Sequence, residues 1–482
     1  MDKVQEKITQ AKEFLKAGDE KRTAAQHAAG KNTARERVAK LFDAGSFTEI
    51  ETLRKDANVV AGFGTVHGRA VYCFAQDYTS AGGAMTRAQA EKVKKLLNMA
   101  QMTGAPVVAM VDSNGIKVTE GAAALPAYAE IFGAMTRLSG VCPMITCVMG
   151  PCVGIATLLT QVSDISVQVE KIGTVALHSA SVMNSDIANI RTEEKLFGAA
   201  VMAEQGAVAL TCENEDAAVA CVQDVLDALP GCNVEDAPLV EADDLNRLMT
   251  AVDGNDAAAV IADVCDNGKG VELYKHYGKA AHTVLTHIGG HSVGLVATDY
   301  AVDSGRLDAD TCAKIARFVR MCDCYQLPVV TLVNTDGIQV PCACKQAKTI
   351  RAAAQMLYAY AEATAAKVAV ITGNAIGASY VAMGGKAIAD VCYAWPQAMV
   401  APLTRQVAVA AFENEKLDAG ESREALEEAY AEQTGALHAA ENALVDEVID
   451  PQDTRKVIIN ALEFLYSKRD VNPPKKHGNM PL

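Results

Sequence analysis

The sequence predicts an α/β protein built from two copies of one domain. The octapeptide VDSNGIKV at 111–118 returns as VNTDGIQV at 333–340, and at the same offset of 222 residues TGAPVVAMVDSNGI lies over YQLPVVTLVNTDGI. Helical, strand-like and glycine-bearing stretches follow one another in the same order around both copies. Since a domain takes roughly 100 to 200 residues, a chain of 482 residues has room for two.

Each copy contains an amphipathic helix followed by an apolar strand. In the first copy, residues 87–102 place apolar side chains at helical spacing. That face is formed by Ala90, Val93, Leu96, Leu97 and Ala100. Pro106 and the strand VVAMVD come next, and the second copy repeats the order with KIARFVRMCDCY, Pro328 and VVTLVN. The alternation predicts helices packed on a largely parallel sheet.

A strand, a glycine turn and a helix follow in both copies. Residues 138–163 carry no charge, and about 20 such residues can cross a bilayer. Pro143, Gly150, Pro151 and Gly154 interrupt the run, which favours a buried strand that feeds a short helix. The matching run at 367–386 has the same form, so no transmembrane segment is predicted.

Composition sets the domain limits. Residues 1–58 are predicted to form a helical arm, 59–230 the first domain, 231–275 a linker rich in Asp, Pro and Asn, and 276–482 the second domain.

Charge and cysteine content narrow the class of protein. Lys and Arg number 44 against 59 Asp and Glu, and the net charge of −15 argues against nucleic acid as a partner. The first residues contain no apolar signal region, so a cytoplasmic protein is expected. The 14 cysteines are expected to be reduced thiols. The pairs Cys322-x-Cys324 and Cys342-x-Cys344 lack the usual zinc-knuckle spacing, so no metal site is predicted.

The glycine turns suggest a chemistry. The first turn of a helix leaves backbone N–H groups without partners, and the helix dipole favours negative charge there. Gly154 and Gly377 stand where such a turn could hold an oxyanion. The residues leave a second interpretation open, in which both glycines only permit close packing of helix on strand.

Several motifs carry a resemblance to a known family. These are TARERVAKLFDAGSFTEI (33–50), MGPCVGIA (149–156), YAWP (393–396), VIDPQDTR (448–455) and PPKKHGNMPL (473–482). Over nearly its whole length the sequence resembles the carboxyltransferase subunits of biotin-dependent enzymes. These include the beta chains of propionyl-CoA carboxylases and the alpha chains of methylmalonyl-CoA and glutaconyl-CoA decarboxylases.

The resemblance implies two crotonase-like domains of ββα spiral units and a reaction between a short acyl-CoA thioester and carboxybiotin. Biotin would be attached to a separate carrier protein, because this chain has no Met-Lys-Met attachment site. The other implied partners are a biotin carboxylase subunit or a membrane decarboxylase subunit. The chain itself is expected to form a homo-oligomer, from dimer to hexamer, either free in the cytoplasm or at the periphery of a membrane decarboxylase complex.

The resemblance also implies site residues. One oxyanion hole would use the backbone N–H groups of Gly154 and Ile155, and a second those of Gly377 and Ala378. The expected substrate-binding residues are Gly82, Gly83, Ser113, Gly115, Gly337 and Tyr380. No side-chain base is required by this scheme, and surface or packing roles are favoured for His67, His291 and Glu120.

The chain departs from the family in two loops. The family's DSGGAR is here DSNGIK at 112–117, and its D-x-P-G-F is NTDGI at 334–338, followed by QVPCACKQAK in place of a glycine-rich segment. These loops are expected to border the substrate and to alter the choice of acyl chain. The rival interpretations are a biotin-independent crotonase-type CoA enzyme, a non-catalytic assembly subunit and a binding scaffold.

Overall fold

The computed structural model describes residues 2–17, 19–184 and 191–481. The chain divides into two compact units, Met1–Asp236 and Ala237–Leu482. Each unit contains one sheet of eight strands with helices packed against it. The predicted α/β class with two copies of one domain is confirmed.

The first unit contains ten of the described helices and eight strands. The helices are α1 (Asp2–Ala17), α2 (Glu20–Ala28), α3 (Ala34–Leu41), α4 (Arg87–Thr103), α5 (Leu125–Leu138), α6 (Leu159–Val162), α7 (Ala180–Met183), α8 (Glu193–Phe197), α9 (Ala199–Glu204) and α10 (Glu215–Ala228). The strands are β1 (Thr48–Glu49), β2 (Val60–Val66), β3 (Arg69–Ala75), β4 (Val107–Ser113), β5 (Met144–Val153), β6 (Ile165–Val169), β7 (Thr174–Ala176) and β8 (Leu210–Cys212).

The second unit follows the same plan. Its helices are α11 (Ala257–Val264), α12 (Ala309–Cys324), α13 (Gln346–Glu362), α14 (Arg405–Phe412), α15 (Asn414–Asp418), α16 (Arg423–Glu432), α17 (Ala436–Glu441) and α18 (Thr454–Leu465). Its strands are β9 (Gly270–Leu273), β10 (Ala281–Ile288), β11 (His291–Thr298), β12 (Val329–Thr335), β13 (Lys367–Ile376), β14 (Val391–Ala394), β15 (Met399–Ala401) and β16 (Glu447–Val448).

The two sheets have equivalent strand orders. The first runs β1-β2-β3-β4-β5-β6-β8 with β7 beside β5, and the second runs β9-β10-β11-β12-β13-β14-β16 with β15 beside β13. An antiparallel hairpin, β2–β3 or β10–β11, leads into parallel strands joined by helices. Both faces of such parallel strands are covered, which explains their unbroken apolar character.

Irregularities of the two sheets coincide as well. The pairing of β4 with β5 shifts register between Val111 and Ser113, and the pairing of β12 with β13 shifts between Val333 and Thr335. Isolated bridges join Met85 to Ile116 in the first unit and Leu307 to Ile338 in the second. Bulges of this kind re-aim the chain where a sheet meets a functional site. The repeat therefore extends to backbone detail at the ends of the strands.

The long helices are positioned by caps and apolar faces. Thr86 caps α4 by accepting from the Gln89 N–H at 3.1 Å, and Asp308 caps α12 by accepting from the Thr311 N–H at 2.8 Å. Such a cap stabilises a helix by about 1 kcal/mol. The predicted face of α4 is confirmed, since all of its five apolar members are buried.

A capping box stabilises the start of α3 in the arm. The Thr33 hydroxyl accepts from the Glu36 N–H, and the Glu36 carboxylate accepts from the Thr33 N–H at 2.7 Å and lies 3.0 Å from His27 Nε2. Partial burial raises the pKa of the Glu36 carboxyl, but the hydrogen bonds of His27 and Thr33 outweigh it and hold the pKa at about 2. The arm residues thus form specific polar contacts.

The uncharged run at 138–163 forms the end of α5, the strand β5, a short 3-10 helix and α6. None of the helices within the described ranges combines the length and the apolar character needed to span a membrane. Of the segment predicted as a linker, residues 257–264 form α11, and β9 pairs with β10. Ala257, Val260 and Val264 give α11 a buried face that its Asp-rich surroundings concealed in the sequence.

Candidate active site

The turn after β5 begins a helix at the end of a paired strand. Gly154 has a φ of 64° and opens a 3-10 helix, Gly154–Leu158. The parallel pairing of Val153 with Ala176 directs the Gly154 N–H to the Ala176 carbonyl, whereas the Ile155 N–H belongs to the first turn, whose donors have no partner within the helix. A Cβ added at Gly154 would have no atom within 4 Å. The positive φ therefore requires glycine here, whereas close packing does not.

Two more loops lie against this turn. A Cβ added at Gly115 would stand 2.7 Å from the Val153 carbonyl oxygen, so the loop after β4 passes close to the end of β5. Ser113 Oγ accepts from the Gly115 N–H at 3.1 Å and donates to the Gly83 carbonyl at 2.7 Å. The parallel strands β3, β4 and β5 thus bring their carboxyl ends to one edge, where ligands of α/β sheets bind.

The loop after β3 is held by the loop after β4. The Asn114 N–H donates to the Gly82 carbonyl at 2.9 Å, and a Cβ on Gly82 would meet Asn114 Nδ2 at 2.4 Å. Asn114 Nδ2 also donates to the Tyr78 hydroxyl at 3.5 Å, and Lys31 Nζ lies 4.0 Å above the Tyr78 ring. The predicted residues Gly82, Gly83, Ser113 and Gly115 therefore lie together with Gly154.

A buried charge cluster that no local sequence pattern predicts supports these loops. Asp112, at the end of β4, is fully buried. Its carboxylate accepts from Gln26 Nε2 at 2.8 Å, from Lys31 Nζ at 3.0 Å and from an Arg37 guanidinium nitrogen at 2.9 Å. Three side chains of the arm thereby fix the strand end from which Ser113 and Gly115 follow. The sequence held one indication, the basic residues of the motif at 33–50.

Arg37 connects this carboxylate to a second one. Its guanidinium donates to Glu215 at 2.6 Å and to the Met149 carbonyl at 2.8 Å. Burial alone would lower the pKa of Arg37, but the hydrogen bond and charge of Glu215 and the charge of Asp112 raise it above its ordinary value. A Cβ on Gly150 would stand 2.0 Å from an Asp112 carboxylate oxygen. Glycine at this position of the Gly-Pro-Cys loop is therefore required by close approach.

The equivalent turn of the second unit has the same backbone form. Gly377 has a φ of 56° and follows β13, as Gly154 follows β5. Its N–H donates to the Ala401 carbonyl of β15 at 2.8 Å, extending the parallel ladder by one residue. Ala378 is exposed, and its N–H donates to no acceptor among the described residues. Of the two donors predicted for the second hole, only Ala378 is free in this structure.

The loop after β12 repeats the geometry of its counterpart with other side chains. Thr335 Oγ1 accepts from the Gly337 N–H at 3.0 Å, and a Cβ on Gly337 would lie 3.0 Å from the Ile376 carbonyl. Asn334 stands where the first unit has Asp112, and its amide donates to the Gly254 carbonyl at 2.9 Å. The second unit thus supports Gly337 with neutral hydrogen bonds.

The Tyr380 hydroxyl already has a hydrogen-bond acceptor within its own unit. It lies in a short π-helical segment, Tyr380–Gly384, and its hydroxyl donates to the Leu444 carbonyl at 2.8 Å. Burial raises the pKa of this phenol. A contact between its hydroxyl and a substrate would have to replace the Leu444 hydrogen bond.

His67 and His291 lie near the β-hairpins, at the end of each sheet opposite to the glycine turns. His67 closes the turn between β2 and β3, with Nδ1 2.8 Å from Asp227. His291 begins β11, with Nε2 2.7 Å from Glu463. Both stand at the amino ends of β3 and β11, away from the carboxyl edges that carry the glycine turns. Glu120 accepts from the Arg87 N–H at 3.2 Å.

The described residues contain no group of three or more His, Cys, Asp and Glu side chains arranged to hold a metal ion. The two Cys-x-Cys pairs differ in exposure, since Cys322 is buried in α12, whereas Cys342 and Cys344 are exposed.

The sequence profile of the carboxyl transferase domain matches residues 25–480. The chain belongs to the carboxyl transferase family. It is 38% identical to the methylmalonyl-CoA decarboxylase subunit alpha of Veillonella parvula, an alignment that covers 100% of both chains. It is 36% identical to the propionyl-CoA carboxylase beta chain of Saccharopolyspora erythraea, over 98% of this chain and 94% of that protein.

A solved structure of the transcarboxylase 12S hexamer, with methylmalonyl-coenzyme A and methylmalonic acid bound, has a similar fold. The TM-score is 0.95 at 33% identity, and the match covers 100% of this chain and 98% of that one. The predicted family and the predicted fold of two crotonase-like domains are confirmed.

Proposed function

We propose that this chain is a carboxyltransferase subunit that moves a carboxyl group between biotin on a separate carrier and the α-carbon of a short acyl-CoA thioester. The substrate class is of the methylmalonyl-CoA and propionyl-CoA type. The single observation that carries the proposal is the Gly154-Ile155 turn, in which a glycine of positive φ opens a 3-10 helix and presents the Ile155 N–H at the carboxyl edge of the first sheet.

This donor suits the chemistry. Carboxylation and decarboxylation at the α-carbon of a thioester both pass through an enolate, whose oxygen carries the growing negative charge. Backbone N–H groups held in place before the reaction stabilise such an oxygen, and each is worth roughly 3 to 4 kcal/mol. The Ile155 N–H would donate to this oxygen, and Gly154 would fix the turn, since the pairing of β5 with β7 directs its own N–H to Ala176. Ser113, Gly83 and Gly115 would hold the loops that border it.

The relatives support the choice of substrate. The names of the two relatives above contain methylmalonyl-CoA and propionyl-CoA, which are the carboxylated and uncarboxylated forms of one acyl group. The 12S structure holds methylmalonyl-coenzyme A. Ile155 adds a branched side chain beside the donor, and we propose that it limits the size of the acyl chain.

In the second unit we propose that the Ala378 N–H receives the ureido oxygen of biotin. The residues fit this group, because Ala378 is exposed and its N–H is a neutral donor without a protein acceptor. Bound biotin carries the carboxyl group and supplies the nitrogen that exchanges it. Gly377 would contribute by fixing the turn, since its own N–H is bonded to Ala401.

We further propose that the chain works as a homo-oligomer with a biotin carrier protein and either a biotin carboxylase subunit or a membrane decarboxylase subunit. The hexameric assembly of the 12S relative supports the first part. The subunit designations of the relatives support the second.

A biotin-independent crotonase-type enzyme is the second candidate. One observation favours it: the Gly377 N–H is bonded to the Ala401 carbonyl, so only one of the two donors predicted for the second hole is free. The test is to follow methylmalonyl-, malonyl- and glutaconyl-CoA with the purified chain, with and without free biotin. Biotin-dependent loss of CO₂ supports the transferase, and biotin-independent turnover supports the second candidate. A folded chain inert toward every thioester would contradict both and leave an assembly subunit.

A further inference from the structure

The connection from β12 to α13 carries two exposed thiols close together. Cys342 and Cys344 are both exposed, and their sulfur atoms lie 2.7 Å apart. The 3-10 turn Ala343–Lys345 sets this approach, with the Lys345 N–H donating to the Cys342 carbonyl at 2.9 Å. Every other cysteine is buried or half-buried. The pair is absent from the first unit, where the matching segment reads VTEGAAA.

We propose that Cys342 and Cys344 form a reversible dithiol–disulfide site that reacts with low-molecular-weight disulfides such as glutathione disulfide. Cys342 is the attacking thiol and Cys344 the resolving thiol. This site goes beyond the carboxyl transfer proposed above and does not depend on it.

The surroundings distinguish the two sulfurs. The hydrogen bond from the Cys344 thiol lowers the pKa of Cys342, and the backbone N–H groups of Lys345 and Cys344 and the charge of Lys345 act in the same direction. Buried thiols behave oppositely, since burial raises the pKa of Cys152 to about 12. The thiolate is the nucleophile in disulfide exchange. Cys342 is therefore both more accessible and more ionised than the buried thiols.

The chemistry balances in two steps. The Cys342 thiolate attacks one sulfur of the small disulfide RS–SR, forming a Cys342–S–S–R bond and expelling RS⁻. The Cys344 thiol gives its proton to solvent and attacks the Cys342 sulfur, which forms the internal disulfide and expels a second RS⁻. The protein loses two protons and two electrons, and the small disulfide is reduced to two thiols.

Binding of a soft metal ion suits this pair of thiols less well than disulfide formation. A structural zinc site needs four ligands, and among the described residues no third His, Cys, Asp or Glu joins these two thiols. A disulfide needs only the two sulfurs already in contact. The site also lies in the connection that contains Gly337, whose close approach to Ile376 places the start of this loop beside the second glycine turn.

The experiment treats the reduced full-length protein with glutathione disulfide, quenches it with acid and an alkylating agent, and maps the cysteines by mass spectrometry. Cleavage at Asp336 separates the pair from Cys322 and Cys324. The wild type is expected to lose two hydrogen atoms in the peptide that contains Cys342 and Cys344, without retaining glutathione. Dithiothreitol should reverse the change.

Three variants complete the test. Cys344→Ser should retain one glutathione on Cys342, because the resolving thiol is missing. The reaction rate of Cys342→Ser should be lower by about tenfold or more, because this variant lacks the attacking thiol. Cys324→Ser is the matched control and should behave as the wild type. An unmodified Cys342 in the Cys344→Ser protein, or a wild-type disulfide that involves Cys324, would overturn the proposal.

Discussion

Replacing Ile155 by proline tests the proposed oxyanion donor most directly. Proline has no N–H, and the Ile155 N–H lies in the first turn of its 3-10 helix, so the change deletes a donor without removing a hydrogen bond of that helix. Proline is also tolerated in the first turn of a helix. Loss of one oxyanion donor lowers kcat by about 10²-fold or more, which corresponds to about 2.7 kcal/mol of transition-state stabilisation.

The assay is biotin-dependent decarboxylation of methylmalonyl-CoA, after thermal melts and sizing have shown that the variant is folded and assembled. Ile155→Ala is the control, because it keeps the N–H and removes most of the side chain. We expect it to retain turnover and to accept longer acyl chains. A folded Ile155→Pro protein with nearly normal turnover would refute the assignment of this turn as an oxyanion hole.

Three further outcomes are expected. Ala378→Pro removes the free donor of the second unit, so biotin-dependent turnover should fall about 10²-fold while the melting temperature stays close to that of the wild type; unchanged turnover would favour the biotin-independent candidate. Asp112→Asn leaves Arg37 and its neighbouring lysine facing a neutral amide, and breaking a buried pair in this way costs about 3 to 5 kcal/mol, which should appear as a lower melting temperature. Glu36 has a folded pKa of about 2, below its ordinary 4.5, so its stabilising contribution is complete above that ordinary value and is lost as the pH falls toward 2. Melts of Glu36→Gln against wild type should therefore differ at pH 7 and converge at low pH, and a constant difference would contradict this.

The sequence predicted those parts of the fold that depend on the local pattern of apolar and glycine residues. The spacing of Ala90, Val93 and Leu96 predicts a buried helical face, and the run around Gly154 predicts a strand, turn and helix. Both depend on neighbours within one element, so periodicity reveals them. The repeat could also be recognised in the sequence, because strand pairing and turn geometry require glycines such as Gly115 and Gly337 at equivalent positions.

The residues that escaped prediction depend on contacts between distant segments. Asp112 is supported by Lys31 and Arg37, and no local pattern shows that a strand end will meet the arm. The acceptor of the Gly377 N–H belongs to β15, which lies beyond the next strand in the chain. Sequence similarity to a family transfers backbone positions, but it does not transfer the state of each hydrogen bond.

The two glycine turns continue their ladders in the same way. Val153 pairs with Ala176 in the first unit, and Ile376 pairs with Ala401 in the second. Because Pro151 has no N–H, the first register directs the Gly154 N–H to the Ala176 carbonyl, as the Gly377 N–H donates to the Ala401 carbonyl. The turns differ instead in the residue that follows the glycine, which is Ile155 in the first unit and Ala378 in the second. Under the proposed function, the larger side chain would restrict the first turn to short acyl chains, and the small alanine would leave the second turn open to the ureido ring of biotin.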